Sequence, residues 1–249
     1  MMQYFFKKIL IGIPVKNTGK YLYHLFDQLV KLNYDLSLIT IILVEGDSND
    51  NSYEICNEIK LKYKIFFNII VAKLNFGFDL NHNNDRYQLS IFPTRIKNLT
   101  VTRNFIVDNY LNDNDYIWWI DSDFENIPSD TLNKLIECNK DIVIPTLIHD
   151  TWGYHDCGSV IFDGKQQIRF QYIDTKENLI KLDRTDAHCF IKSNVFSNLR
   201  YKFIDEEYLD GCGSKQNCLP EGVSFSLEAV KCGYELYGTK HIIIKHHDI

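Results

Sequence analysis

Residues 115–124 read Asp-Tyr-Ile-Trp-Trp-Ile-Asp-Ser-Asp-Phe, and this stretch decides the fold class. The run from Tyr116 to Ile120 is apolar, too short for a helix and rich in β-favouring residues. We therefore predict a strand that is buried on both faces, as in a parallel sheet. The run ends at two carboxylates, Asp121 and Asp123. Because ligands bind beyond the carboxyl ends of strands in open α/β sheets, we expect a site there.

The spacing of Asp121 and Asp123 suits a hard cation. With one residue between them, an irregular turn can direct both carboxylates at one cation that prefers oxygen ligands and also accepts phosphate oxygens. Residues 113–115, Asp-Asn-Asp, have the same spacing but precede the strand, where turn chemistry explains them. A solvated turn is the alternative for Asp121 and Asp123 too, so the tripeptide alone is a weak signal.

The composition bounds the class of protein. The chain has 249 residues, 45% of them hydrophobic, which suits one large α/β domain. A formal net charge of -6 without a long basic run argues against nucleic acid or an anionic membrane as a partner. Seven cysteines without a Cys-x-x-Cys pair predict reduced thiols. With no signal-peptide pattern or transmembrane-length apolar stretch, we expect a cytoplasmic protein. The Asn-, Ile-, Lys- and Tyr-rich usage is typical of an AT-rich viral or microbial genome.

The order of predicted elements indicates a single domain, 1–249, in two halves. In the first half, 1–123, strands alternate with helices, which predicts a parallel α/β unit that holds a nucleotide. The predicted elements of this half are strands at 8–15, 38–44, 66–73 and 116–120 and helices at 20–32, 53–62 and 99–110. Residues 74–98 are mostly polar and show no helix or strand periodicity, and we predict a long functional loop there.

The second half, 124–249, is predicted to serve the acceptor. It includes a small antiparallel excursion within 146–180. Its other predicted elements are helices at 129–138 and 224–232 and strands at 141–145, 234–237 and 241–245. No repeat or low-complexity linker separates the two halves.

The order of these features resembles that of the GT-A fold of nucleotide-sugar glycosyltransferases over nearly the whole chain. The features are Asp121-Ser122-Asp123 after a buried strand, then Glu221 opening a helix, then a last strand that ends in His246. The resemblance implies an α/β, Rossmann-like fold with a mostly parallel central sheet and helices on both faces.

More narrowly, four segments look like the fungal mannan-polymerase mannosyltransferases. They are 101–105, Val-Thr-Arg-Asn-Phe; 118–123, Trp-Trp-Ile-Asp-Ser-Asp; 139–145, Asn-Lys-Asp-Ile-Val-Ile-Pro; and 241–246, His-Ile-Ile-Ile-Lys-His. Two features depart from that family. The amino-terminal membrane anchor is absent, and residues 184–188, Arg-Thr-Asp-Ala-His, replace a glycine-rich loop. The acceptor and the donor sugar therefore stay open.

The resemblance implies a sugar-nucleotide donor whose diphosphate is held by Mn²⁺ or Mg²⁺. GDP-mannose is the implied donor, and a UDP-sugar is the close alternative. Asp123 would bind the metal directly, and Asp121, with Ser122 beside it, would contact the ribose or reach the metal through water. His246 would be a third metal ligand, and its imidazole favours Mn²⁺. The neighbouring His247 would point the other way, because adjacent strand residues face opposite sides.

Further contacts follow from the same resemblance. Pro14, Glu45 and Asp47 occupy strand ends that touch base and ribose in this fold, and Lys73 ends the third strand. An Asx turn is the alternative for Asp47. Arg103 would contact the diphosphate or the sugar, because a guanidinium matches phosphate geometry.

On the acceptor side, Glu221 is the main catalytic candidate and Asp210 the second. In an inverting enzyme Glu221 would deprotonate the acceptor hydroxyl, and in a retaining enzyme it would position the acceptor or stabilise positive charge. The alternative for Glu221 is a carboxylate favoured at a helix N-terminus by the helix dipole.

Two readings of other classes remain. One is a phosphatase of the haloacid-dehalogenase type, in which Asp121 would be the nucleophile, although that motif normally lies at the start of the domain. The other is a non-catalytic module that binds a sugar or a nucleotide. If the chain is a transferase, we predict that residues 74–98 become ordered over the donor.

Overall fold

The computed structural model of the protein describes residues 6–79, 88–151, 153–154, 156 and 158–247. These residues form five α-helices: α1 (Gly19–Leu29), α2 (Ser52–Tyr63), α3 (Phe92–Tyr110), α4 (Thr131–Glu137) and α5 (Glu221–Lys231). Their strands are β1 (Ile9–Val15), β2 (Ile39–Gly46), β3 (Asn68–Leu74), β4 (Tyr116–Trp119), β5 (Phe124–Asn126), β6 (Ile142–His149), β7 (Gly153–Tyr154), β8 (Val160–Asp163), β9 (Gln166–Arg169), β10 (Leu179–Leu182), β11 (Phe190–Lys192), β12 (Tyr208–Leu209), β13 (Lys215–Gln216) and β14 (Leu236–His246).

One large sheet organises the described residues. Its main order is β10-β14-β6-β11-β4-β1-β2-β3, with β5 beside β14 and β7 beside β6. The strands β3, β2, β1 and β4 are mutually parallel, and so are β6 and β14, whereas β11 runs antiparallel between the two groups. The hairpins β8–β9 and β12–β13 form separate small antiparallel sheets. The predicted α/β class with a mostly parallel sheet and an antiparallel excursion is confirmed.

Side chains from successive residues of each strand enter two different cores. Ile9 and Ile11 pack in a cluster with α1, α2 and α4, whereas Leu10 packs in a cluster with α3 and α5. Trp118 and Trp119 divide between the same two clusters and are both fully buried. This alternation explains why the strands read as continuous apolar runs: both faces of the sheet are covered by helices.

Gly12 and Trp119 occupy neighbouring positions in β1 and β4. A Cβ atom on Gly12 would lie 2.4 Å from the Trp119 ring, so the smallest residue makes room for the largest. This fit lets β4 pair with β1 in a register that brings Asp121, just beyond β4, to the end of β1.

The predicted boundaries were wrong at two places that affect the site. The helix α3 begins at Phe92 rather than near residue 99, with a proline in its first turn, which is a favoured helix start. The two strands predicted at the end of the chain form one strand, β14, with a register shift between Thr239 and Ile243. The centre of the predicted loop, residues 80–87, lies outside the described residues.

The prediction of reduced thiols was wrong for Cys212, which is disulfide-bonded. Sequence spacing does not show which cysteines meet in the fold, because a disulfide depends on their distance in space. The described cysteines at 56, 138, 189, 218 and 232 are free. None of the described helices has the length and apolar character needed to cross a membrane.

Candidate active site

A cavity of about 360 Å³ lies at the carboxyl ends of β1, β2 and β4, between these strands and the helices α3 and α5. This is the edge at which α/β sheets bind ligands. Most of the residues predicted for the site line it. They are Pro14, Arg103, Asp121, Ser122, Asp123, Asp210, Glu221 and His246.

Asp121, Asp123 and His246 converge on one point of this cavity. One ligand atom from each lies within 4.8 Å of the others, and in the described part of the chain no further group of this kind occurs. His246 Nδ1 donates to the carbonyl of His247 at 3.0 Å, which turns Nε2 to within 3.1 Å of Asp123 Oδ1. Two carboxylates and an imidazole with a fixed tautomer form a donor set suited to Mn²⁺.

The charges at this point are coupled. Burial alone would lower the pKa of His246, but the carboxylates of Asp121 and Asp123 raise it to about 11. Burial would likewise raise the pKa of Asp121, but His188 and His246 hold it well below its usual range. Without a cation, protons on the imidazoles therefore balance the two carboxylates, and a cation that binds must displace protons.

His188 supports the same cluster and was missed by the sequence reasoning. Its Nε2 donates to Asp121 Oδ2 at 2.7 Å, and its ring lies beside the Phe124 ring, with centroids 5.8 Å apart. It comes from the segment 184–188, which the sequence marked as a departure from the related family but not as part of the site. His188 orients a candidate ligand from behind, as outer-shell residues do in metal sites.

Arg103 and Glu221 form a buried ion pair across the cavity. Arg103 Nε donates to Glu221 Oε1 at 2.9 Å, and the two side chains are only 3% and 5% exposed. The guanidinium also stacks 4.6 Å from the Trp119 ring. Its Nη1 is buried and has no hydrogen-bond partner in the described part of the protein. The helix α5 begins at Glu221, so α3 and α5 are joined at the cavity wall.

Asp210 lines the cavity but also holds its own turn. Its Oδ1 accepts hydrogen bonds from the backbone N–H groups of Cys212 and Ser214, at 2.9 and 2.8 Å. It lies just beyond β12, next to the disulfide-bonded Cys212.

Three residues predicted to touch base and ribose do not line the cavity: Glu45, Asp47 and Lys73. Glu45 is fully buried, accepts from the N–H of Ser48 at 2.6 Å and has Lys73 Nζ 3.5 Å away. Asp47 Oδ2 accepts from the N–H groups of Phe76 and Phe78, each at 2.9 Å. Asp47 therefore holds the loop 76–78 in place. Contact of Glu45, Asp47 or Lys73 with a nucleotide stays a prediction.

That loop supplies site residues that sequence reasoning missed. Phe76 and Phe78 line the cavity together with Lys16, which follows β1. Lys16 Nζ donates to the carbonyls of Gly46 and Phe78, at 3.0 and 2.9 Å, and to that of Asp47. Burial lowers the pKa of Lys16. Aromatic residues around Gly77 in a polar loop were the available signal.

Asp186 is a further site residue that the sequence did not reveal. It lines the cavity close to Glu221, in the same segment as His188. Burial, with a contribution from the nearby Asp156 carboxylate, raises the pKa of Asp186 to about 6. The cavity thus combines a cluster suited to a cation, a buried guanidinium and a carboxyl group that titrates near neutral pH.

Known proteins resemble the chain in sequence. The sequence profile of the Anp1 family matches residues 6–191. The Mannan polymerase II complex anp1 subunit of Schizosaccharomyces pombe is 25% identical over 150 residues, which cover 57% of this chain and 35% of the relative. The ANP1 subunit of the same complex in Saccharomyces cerevisiae is 25% identical over 149 residues, or 56% of this chain and 30% of the relative. The chain thus matches about a third of the length of these relatives.

Solved structures share the fold. S. aureus TarS 1–349 in complex with UDP-GlcNAc has a TM-score of 0.59 and 14% identity, with 97% of this chain and 59% of that chain covered. The mannosyltransferase PcManGT from Pyrobaculum calidifontis, in complex with GDP-Man and Mn²⁺, has a TM-score of 0.55 and 9% identity, with 96% and 56% covered. The GT-A fold is therefore confirmed, and with a family match over residues 6–191 the chain belongs to the Anp1 family.

Proposed function

We propose that this chain is a metal-dependent glycosyltransferase that moves mannose from GDP-mannose to a hydroxyl group of a glycan or another acceptor. The observation that carries this proposal is the convergence of Asp121, Asp123 and His246 in a cavity at the carboxyl edge of the sheet. Membership of the Anp1 family supports the same activity.

The three converging residues fit Mn²⁺. They offer oxygen and nitrogen donors within 4.8 Å of one another, and Asp123 and His246 are buried enough to exclude bulk water from one side. When bound there, Mn²⁺ would act as a Lewis acid that neutralises the charge of the diphosphate leaving group. Mg²⁺ is the alternative, and the imidazole of His246 makes it the less favoured of the two.

Arg103 would hold the diphosphate. Its Nη1 is buried without a partner in the described part of the chain, and an unsatisfied buried N–H group is costly. A phosphate oxygen would accept this hydrogen bond, and the ion pair with Glu221 fixes the guanidinium in place. At the other end of the cavity, Phe76, Phe78 and Pro14 offer apolar surface to a base. Asp47 would support this end through the loop 76–78, and Glu45, with Lys73 beside it, through the turn after β2.

The identity of the donor, GDP-mannose, is the most specific part of the proposal. The matched relatives are named as mannan polymerase subunits, and one structural neighbour was solved with GDP-Man and Mn²⁺. Another neighbour was solved with UDP-GlcNAc, so a UDP-sugar stays the alternative donor. Membership of the Anp1 family favours a transferase over a phosphatase with Asp121 as nucleophile. A non-catalytic binding module would bind the nucleotide but transfer no sugar, so a transfer assay distinguishes it from an enzyme.

The test is calorimetric titration of GDP and of UDP into the protein, with Mn²⁺ or with a chelator. We expect GDP to bind in the presence of Mn²⁺ and to bind much more weakly with chelator. Asp123→Asn should abolish the metal-dependent part of the binding, while Asp113→Asn should not change it. Tighter binding of UDP would move the donor class to UDP-sugars. Absence of metal-dependent binding of either nucleotide would contradict the proposal.

A further inference from the structure

Asp186 lies in the cavity with a carboxylate oxygen that the protein leaves open. Its Oδ1 accepts from the N–H of Ala187 at 2.8 Å, and no described residue donates a hydrogen bond to its Oδ2. Its backbone is held in place, since its N–H donates to Ser159 Oγ at 3.1 Å and its carbonyl accepts from Cys189 Sγ at 3.1 Å. The carboxyl group is thus fixed in position, with one free acceptor atom, in a residue that lines the site.

Two glycines keep the space around this residue clear. A Cβ atom on Gly158 would lie 2.8 Å from Asp186 Oδ2, and one on Gly222 would lie 2.5 Å from the backbone nitrogen of Ala187. Neither glycine has a positive φ, so the backbone conformation does not require glycine at these positions. What both positions require is room beside the Asp186–Ala187 segment.

The other carboxylates of the cavity are already engaged. Glu221 pairs with Arg103, and a proton or a hydroxyl group that weakened this pair would leave a buried guanidinium uncompensated. Asp210 Oδ1 accepts two backbone hydrogen bonds, from Cys212 and Ser214, which hold the turn after β12. Asp121 and Asp123 belong to the candidate metal cluster. Asp186, with a single backbone hydrogen bond, is the least engaged of the described carboxylates that line the cavity.

We propose that Asp186 accepts a hydrogen bond from the acceptor hydroxyl that attacks the sugar, so that Asp186, rather than Glu221, is the catalytic carboxylate on the acceptor side. This inference rests on the proposed function. The contact orients the hydroxyl lone pair towards the anomeric carbon. As the acceptor oxygen forms its bond to that carbon, the bond from the carbon to the diphosphate breaks and GDP leaves. The hydroxyl proton passes to Asp186 in an inverting enzyme, or to the departing phosphate oxygen in a retaining one. Glu221 then acts as a positioning residue that holds Arg103.

The surroundings of Asp186 make its ionisation sensitive to pH near neutrality. Burial raises its pKa to about 6, and the carboxylates of Asp156 and Glu221 contribute in the same direction, whereas His188 opposes them. Tyr208, at the start of β12, also faces this group. A carboxylate with a pKa near the working pH is well matched to assist a hydroxyl group. The active form is the ionised one, so transfer should fall as the pH drops below about 6.

The experiment compares Asp186→Asn with the unmodified chain, with GDP-mannose as donor and a short mannan oligosaccharide as acceptor, because the matched relatives are named as mannan polymerase subunits. We expect kcat for transfer to fall about 100-fold. Metal-dependent GDP affinity should stay within about twofold, because Asp186 does not belong to the nucleotide end or the metal cluster. With Mn²⁺ at a concentration that saturates the site at every pH, the acid limb of the kcat profile should disappear in the variant.

Two results would overturn the inference while leaving the proposed function intact. One is transfer by Asp186→Asn within about fivefold of the unmodified chain. The other is a kcat profile of the unmodified chain that stays flat from pH 4.5 to 7, and this result does not depend on the folding of any variant. If the unmodified chain binds neither GDP nor UDP and transfers no sugar, the proposed function fails first and this inference fails with it.

Discussion

An Asp-x-Asp tripeptide lies at each end of the strand β4, and the two differ in everything except spacing. Before the strand, Asp115 pairs with Lys7 at 3.0 Å with a side chain 37% exposed, and Asp113 takes a left-handed turn conformation with a φ of 69°. After the strand, Asp123 is buried and lies 3.1 Å from His246, while Asp121 accepts a hydrogen bond from His188.

The difference comes from the neighbours that the sheet brings to each end. The last strand, β14, places His246 beside Asp123, and the segment before β11 places His188 beside Asp121. At the amino end of β4, Asp115 pairs with Lys7, which lies just before β1. The same tripeptide is therefore a turn at one end and a candidate metal site at the other, because only the carboxyl edge collects side chains from several strands.

The largest effect is expected from removing one carboxylate at each end. Asp123→Asn should lower the rate of sugar transfer about 1000-fold, because Lewis-acid stabilisation of the leaving group contributes several kcal/mol. Asp113→Asn should change it less than about twofold, since asparagine also tolerates a left-handed turn. The measurement is the transfer rate from GDP-mannose at saturating Mn²⁺. Equal losses in the two variants would remove the distinction between the ends of β4.

A second comparison uses two adjacent histidines. His246→Phe keeps the ring but removes the candidate ligand nitrogen, and we expect Mn²⁺ affinity to fall about 100-fold, because such a cluster loses one of its three ligands. His247→Phe should leave the affinity unchanged, because the His247 ring faces away and stacks 4.7 Å from Tyr21. Calorimetry with Mn²⁺ alone measures both. Weaker binding in His247→Phe would show that the wrong histidine has been assigned.

A smaller effect is expected from the partners of the two aspartates. His188→Phe removes the hydrogen bond to Asp121 and should weaken Mn²⁺ about tenfold, the lower end of the range for outer-shell residues. Lys7→Met removes the corresponding partner of Asp115 and should have no effect on Mn²⁺. The same calorimetric titration tests the pair. An unchanged affinity in His188→Phe would mean that Asp121 is oriented without it.

The sequence allowed most of this architecture to be predicted, because the fold depends on local patterns. The buried run 116–120 predicted a two-sided sheet, and the residues after it predicted a site at its carboxyl edge. The continuous strand β14 was not predicted, because Gly238 and the polar residues after it resemble a turn. Gly238 instead makes room for the Phe170 ring, whose nearest atom would lie 2.6 Å from a Cβ atom there.

The site was predicted less completely, because its members meet only through tertiary contacts. Asp121, Asp123, Arg103, Glu221 and His246 were named from their order along the chain, and they line one cavity. His188 and Asp186 were not named, since nothing in the local sequence shows that the segment before β11 reaches Asp121 and Glu221. The ion pair of Arg103 with Glu221 joins residues 118 positions apart and was equally hidden.

The smallest effect concerns the free energy of unfolding. Removing a carboxylate beside the cavity, at Asp186, should stabilise the fold, whereas removing one at the amino end of β4, at Asp115, should destabilise it. The pKa of Asp186 in the fold, about 6, lies above its ordinary value of 3.8, so the folded state resists ionisation of this group. Its destabilising effect is absent below about pH 4 and complete above about pH 6. At pH 7.5, Asp186→Asn should therefore stabilise the fold by about 1 to 3 kcal/mol and raise the thermal midpoint by several degrees.

At the amino end of β4, Asp115→Asn loses the charge that pairs with Lys7 and keeps only one of the two oxygens that accept from Lys7 and from the N–H of Lys8. It should therefore destabilise the fold by about 1 kcal/mol. Thermal unfolding at pH 7.5 and pH 4 measures both variants, and the gain from Asp186→Asn should vanish at pH 4. A loss of stability in Asp186→Asn at pH 7.5 would show that this carboxylate supports the fold. A gain would mean that the site retains a carboxylate at the expense of stability, as expected where a residue is kept for its chemistry.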